Sequence, residues 1–119
     1  MSAHKIMVRD YQVKNPNGIH GRQASKLLKT ATAFGCTLFI SAEALRVAVA
    51  HIPPKMQILG PILEEDPQWY FAAIGNLMHL NVQKGSSVKL GVRGRDAAIC
   101  LHAFGYLFAL YFHKIDREN

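Results

Sequence analysis

Between Ala97 and Phe112 only His102 and Gly105 lie outside the apolar residue set, and burying that run is the first demand on the fold. The run is shorter than the ~20 residues a membrane-spanning helix needs, so it reads as a helix buried in a protein core. A helix apolar on nearly every side has to be covered twice. Ile99, Ala103, Leu107 and Leu110 form the side expected to face a sheet, and Phe104, Tyr106, Phe108 and Phe112 cannot all share it. Two covers are expected as alternatives: the stretch carrying Ile58, Leu59, Ile62, Leu63 and Trp69 folded over the helix, or a second copy of the chain in a homodimer.

The 119 residues suffice for one core and not for two, so a single domain spanning 1–119 is expected. His4 to Val13 reads as a strand that ends at the turn-rich Lys14-Asn15-Pro16-Asn17-Gly18. From Arg22, Ala24, Leu27, Leu28, Ala31 and Phe34 recur at helical spacing up to Gly35. Cys36 to Ser41 is a strand, with Arg46 to His51 as its hairpin partner, although Ala42 to Ala50 also reads as helix. Pro53-Pro54, Gly60-Pro61 and Asp66-Pro67 break up an inserted loop at about 53–72. Trp69 to Leu80 is expected as a short helix weakened by Gly75, Ser87 to Val92 as a half-buried strand, and Asp96 as the cap of the last helix. The expected class is α+β, in the order β-α-β-β-α-β-α.

A formal charge of +6 points to an acidic partner, a phosphate or a nucleic acid. Lys14, Arg22, Lys26 and Lys29 cluster around His20, and no aromatic residue interleaves them for base stacking, so nucleic acid ranks low. Cys36 and Cys100 lack metal-ligand spacing, and His102 beside Cys100 reads as a packed residue, so no metal is expected. No P-loop or nucleophile elbow is present and no cofactor is implied. The first residues lack an apolar signal core, so the expectation is a cytoplasmic protein with no membrane partner.

Asn17-Gly18-Ile19-His20-Gly21-Arg22 sets an imidazole at the mouth of a helix. Free amides and the positive end of the macrodipole make such a mouth an anion site. A neutral imidazole nitrogen has the lone pair to attack phosphorus. Arg22 would neutralise the phosphoryl oxygens, aided by amides near Arg22 and Gln23.

The segment Asn17-Gly18-Ile19-His20-Gly21-Arg22-Gln23-Ala24 resembles the active-site motif Gly-Leu-His-x-Arg-Pro-Ala of the histidine-containing phosphocarrier protein family, HPr. The likeness continues through Ser25 to Ser41 and resumes from Leu77 to the final helix. It implies an open two-layer fold, with a four-stranded antiparallel sheet of order 1423 and three helices on one face. It also implies a phosphoryl carrier rather than an enzyme, in which His20 accepts phosphate from enzyme I and passes it to an enzyme IIA or a regulatory partner. On this resemblance Arg22 stabilises the phosphate, Asn17, Gly21 and Gln23 help bind it, and Ala24, Lys26, Leu27, Ile74 and Met78 dock partners. Gln23 stands where the motif has proline, and the family's regulatory serine falls near His51 or Ala73. The alternative is a regulatory adaptor that keeps the fold and binds an acidic protein outside sugar transport.

Overall fold

Strand β1, Met7–Gln12, turns inward at Tyr11, whose hydroxyl donates to the Leu101 carbonyl at 2.6 Å. The structure is a computed structural model describing residues 5–118, so His4, the expected first strand residue, and the N-terminal residues before it lie outside the described residues. β1 pairs antiparallel with β4, Ser87–Arg93, and β4 with β2, Thr37–Ser41. The fourth strand, β3, is Trp69–Phe71 and pairs with β2, completing the order β1-β4-β2-β3. This is the expected 1423 sheet, with the principal helices packed on one face.

Period-two alternation decides which side chains meet the helices. Leu38, Ile40, Val88, Leu90 and Val92 point into the main core, where they meet Ala24, Leu27 and Ala31 of helix α1, Gly21–Ala33. Phe39 points the other way and is nonetheless fully buried, beneath Leu63 and Trp69. Leu63 and Trp69 therefore strap the opposite face of the sheet, while Leu59 and Ile62 of the same stretch pack against the main core. Gly91 lets Trp69 lie this low, since a β-carbon there would stand 3.0 Å from the indole ring. Burying side chains such as Phe39 contributes about 1.5 to 3 kcal/mol each.

Of the expected hairpin strand Arg46–His51, Arg46 to Ala48 instead belong to a helix, α2, Ala42–Ala48, as the alternative reading had it, and 49–51 form the turn that leaves it. Alanines at 42, 44 and 48 favour helix, and Ser41 Oγ caps it by accepting from Ala44 N at 3.2 Å. The third strand lies where a helix from Trp69 was expected. Three consecutive aromatic residues prefer the pleated sheet, and the helix is confined to α3, Ile74–His79. The 53–72 stretch also holds a short 3-10 turn at Pro54–Met56 and a bridge from Ile62 to Tyr70. Its hold on α3 is the fully buried Asn76, whose side-chain amide donates to Leu59 O at 2.8 Å and Phe71 O at 2.9 Å while its oxygen accepts from Ala73 N.

The last helix runs as α4, Ala97–Tyr106, a π-helical segment, Leu107–Tyr111, and α5, Phe112–Arg117. By length and composition it could cross a membrane, yet Leu101, Phe104, Leu107, Phe108 and Phe112 are buried in the core. Ile99 and Leu110, expected against the sheet, are 58% and 60% exposed. Phe104, Phe108 and Phe112 share the inward side and Tyr106, 57% exposed, does not, so the four aromatic residues do not all face one way, as expected. In a regular helix residues four apart drift by about 40° per step. Here Phe112 N donates to Leu107 O, five residues back, and the wider turn brings the three rings into line.

Candidate functional site

The loop between β1 and α1 is shaped by Gly18, which has φ +61 and packs against the Val82 carbonyl. Ile19, buried in the core, donates its amide to the same carbonyl at 3.1 Å and anchors the chain just before His20. His20 then emerges exposed, in extended conformation, as the N-cap of α1. The first intrahelical bond runs from Ala24 N to His20 O at 2.9 Å. The amides of Gly21, Arg22 and Gln23 precede it and are the donors a helix start leaves for an anion.

Gln23, the departure from the motif, is 2% exposed and bonded at both ends. Its oxygen accepts from His20 N at 3.0 Å, the side-chain-to-cap half of a capping box. Its amide nitrogen donates to Asp116 Oδ1 at 2.6 Å. Asp116 Oδ2 in turn accepts from Asn17 N at 2.9 Å and from Asn15 Nδ2 at 3.0 Å, and Asn15 also donates to Gly18 O. The Gln23 side chain is thus spent inside the protein, leaving only its backbone amide to face an anion. The Asn17 amide is likewise engaged by Asp116.

His20 lines a hollow of about 280 Å³ with Pro16, Asn17, Gln83 and Lys84. Arg22 lines a neighbouring one of about 530 Å³ with Gly21, Ser25, Lys26, Lys29, Tyr111 and Ile115. The Arg22 guanidinium donates to Ile115 O at 3.3 Å and lies 3.6 Å from the Glu118 carboxylate, while Lys26 sits over the Tyr111 ring. Imidazole and guanidinium therefore flank the first turn of α1, and the cation inside the His20 hollow is Lys84.

Ile74 and Met78, expected as docking residues, are 44% and 41% exposed on α3, and Met78 Sδ lies beside Gly21. Lys26 is partly exposed. Ala24 and Leu27 are a correction: both are fully buried in the core on the inner side of α1 and offer a partner no surface. Ile58 reaches α3 from the 53–72 stretch and packs where a β-carbon on Gly75 would stand, which explains the glycine within a short helix. Among the described residues no three His, Cys, Asp or Glu side chains gather as a metal site.

Sequence reading missed Asp116, Asn15 and Lys84. A glutamine three residues after the cap is a legible capping signal for the Gln23 bond to His20. Asp116 is 93 positions from Gln23 and carries no local sign of its role.

Residues 7–59 match a family model described as PTS-HPr, the PTS HPr component phosphorylation site. Among solved structures, the fold is similar to a phosphocarrier protein HPr from Bacillus anthracis str. Ames, with 21% identity over 87% of this chain and 96% of that one, at a TM-score of 0.57. It is similar too to HPr-C-His from Thermoanaerobacter tengcongensis, with 22% identity over 89% of this chain and 94% of that one, at a TM-score of 0.59. These two likenesses establish a common fold. No curated protein matches the chain significantly. The matched span contains the β1–α1 loop, the exposed His20 and the whole of α1, so the likeness to the HPr component falls on the candidate site itself.

Proposed function

We propose that the protein is a phosphocarrier that holds a phosphoryl group on His20. The observation that supports this most is the exposed imidazole at the N-cap of α1, beside three amides that precede the first intrahelical bond. In the reaction an imidazole nitrogen attacks the donor's phosphorus, the N–P bond forms as the donor's bond to phosphorus breaks, and the leaving group departs with its electrons. Equatorial charge then meets the first-turn amides and Lys84, and Arg22 once its guanidinium turns from Ile115 O and Glu118 toward the imidazole. Gly21 adds no side chain that would shield this approach.

The donor in this reading is enzyme I and the acceptor an enzyme IIA or a regulatory protein, in the cytoplasm, with no membrane and no small-molecule substrate. Ile74 and Met78 give such partners an apolar contact beside His20, and Lys26, Lys29 and Arg22 a basic rim. A regulatory adaptor is the second reading, favoured by Ile58, which adds an exposed apolar side chain to α3. The whole chain acts as one unit in both readings.

Incubation with enzyme I and phosphoenolpyruvate should add one acid-labile phosphate by intact mass, and His20→Ala should abolish it. An unchanged mass for the native protein, with the donor demonstrably active, would remove the carrier reading.

A further inference from the structure

We infer that Asp116 is a positioning residue for His20, acting through Gln23 by fixing which end of its carboxamide faces the imidazole-bearing residue. The inference rests on the carrier reading for its functional consequence and on hydrogen-bond polarity for its mechanism. The His20 amide is a donor only, so whatever faces it must accept. A carboxylate is an acceptor only, so whatever faces Asp116 must donate. Gln23 lies between them, with its oxygen 3.0 Å from His20 N and its nitrogen 2.6 Å from Asp116 Oδ1, and only this orientation satisfies both ends. Asp116 thereby locks the cap residue of α1 from the far end of the chain.

The same carboxylate receives two more donors on Oδ2, the Asn17 amide and the Asn15 side chain. Three donors from the two sides of His20 converge on one group. A carboxamide at 116 offers a single acceptor oxygen, so it has to turn its own N–H bonds toward one of them. Were Gln23 to flip in response, its nitrogen would face His20 N, donor against donor. The fault can be moved along the chain of bonds but not removed. Nor is the position filled by the backbone restraint that the motif's proline would supply, so the carboxylate and the glutamine act as its replacement.

The polarity rule makes a swap decisive. In Asp116→Asn combined with Gln23→Glu, one oxygen of the new carboxylate accepts from His20 N and the other from the new carboxamide at position 116, whose own oxygen accepts from Asn17 N. Net charge is unchanged. In Asp116→Asn alone the His20 amide proton resonance should move upfield, and phosphorylation of His20 by enzyme I and phosphoenolpyruvate should slow by about tenfold to a hundredfold, the scale of a small misplacement of a reacting group. The double variant should recover both the resonance and most of the rate. Gln23→Met, close in volume but without polar ends, should fold and show the same loss, which keeps the test informative if Asp116→Asn does not fold.

An unmoved His20 resonance and an unchanged rate in Asp116→Asn or Gln23→Met would overturn the inference. So would a double variant as impaired as the sum of its parts, which would mark Asp116 as general packing. The amide resonance is read on unphosphorylated protein. Failure of the native chain to label would therefore count against the carrier reading while leaving the positioning of His20 separately measured.

Discussion

Gly18 and Val82 are pressed together so closely that a β-carbon on Gly18 would overlap the Val82 carbonyl oxygen, the same oxygen that accepts from Ile19 N. Gly18 also has φ +61, which disfavours any side chain. Strain and overlap both act in Gly18→Ala, whose stability to urea should fall by at least about 1 to 3 kcal/mol. The His20 loop is displaced with it, so labelling by the donor should slow even where the variant remains folded. A variant with native stability would show that the loop can move off Val82 at no cost.

The strap on the second sheet face makes a separate unit of Leu63, Trp69 and Phe39. Leu63→Ala should destabilise by about 2 to 5 kcal/mol, the usual result of emptying a leucine site that cannot collapse. Trp69 is the sole tryptophan, so its emission should shift to longer wavelength as water reaches the ring. Because the strap and α1 lie on opposite faces, the rate of His20 labelling should not change in the folded fraction. The Arg93–Glu65 pair across the strap, with Glu65 mostly exposed, adds little to this.

Alkaline conditions should loosen the core at its sulfur and phenol groups. Burial, reinforced by the neighbouring Cys36, pushes the Cys100 thiol up to about 12, and burial raises Cys36 and Tyr11 as well. These groups keep their protons in the folded protein when the unfolded chain has begun to lose them. The native state then binds more protons, and stability falls as pH rises. The fall should begin near the ordinary thiol range of about 8.5 and steepen past the phenol value of about 10. Urea midpoints taken from neutral to strongly alkaline pH should show it, and Tyr11→Phe should flatten the upper part while costing about 1 kcal/mol for the lost bond to Leu101 O.

Lys84 shares the hollow of His20 and is exposed, so its charge acts through solvent. Lys84→Glu should leave stability nearly unchanged and slow phosphoryl transfer by up to about fivefold, matching a charge effect near 1 kcal/mol. The difference from native protein should shrink in high salt. Equal rates at low salt would dismiss Lys84 from the site.

The strand–loop–helix around His20 is legible in the sequence because every determinant is local: Gly18 for the turn, the polar loop, and the helical spacing of Ala24, Leu27 and Ala31. The sheet order follows from the resemblance. Residues 42–51 satisfy two propensities at once, and the helix prevails because a serine cap and three alanines act together with the aromatic strand Trp69–Phe71, which takes the place beside β2. The inward set of the last helix differs from expectation because a regular period does not hold across a segment with a wider turn. Asp116 is invisible for another reason: its partners Asn15, Asn17 and Gln23 become neighbours only after the helix has packed across the sheet.

That wider turn at Leu107–Tyr111 has a bearing on the site more than a helix turn beyond it. It takes up one residue more than an ordinary helix would between the same two ends. Wound regularly, the same residues would rotate everything downstream by about 100° and carry Asp116 away from its three donors, although each member of the network would still be encoded. The support of His20 is in this sense metered by one surplus residue in the C-terminal helix, as much as by the chemistry of the groups it carries.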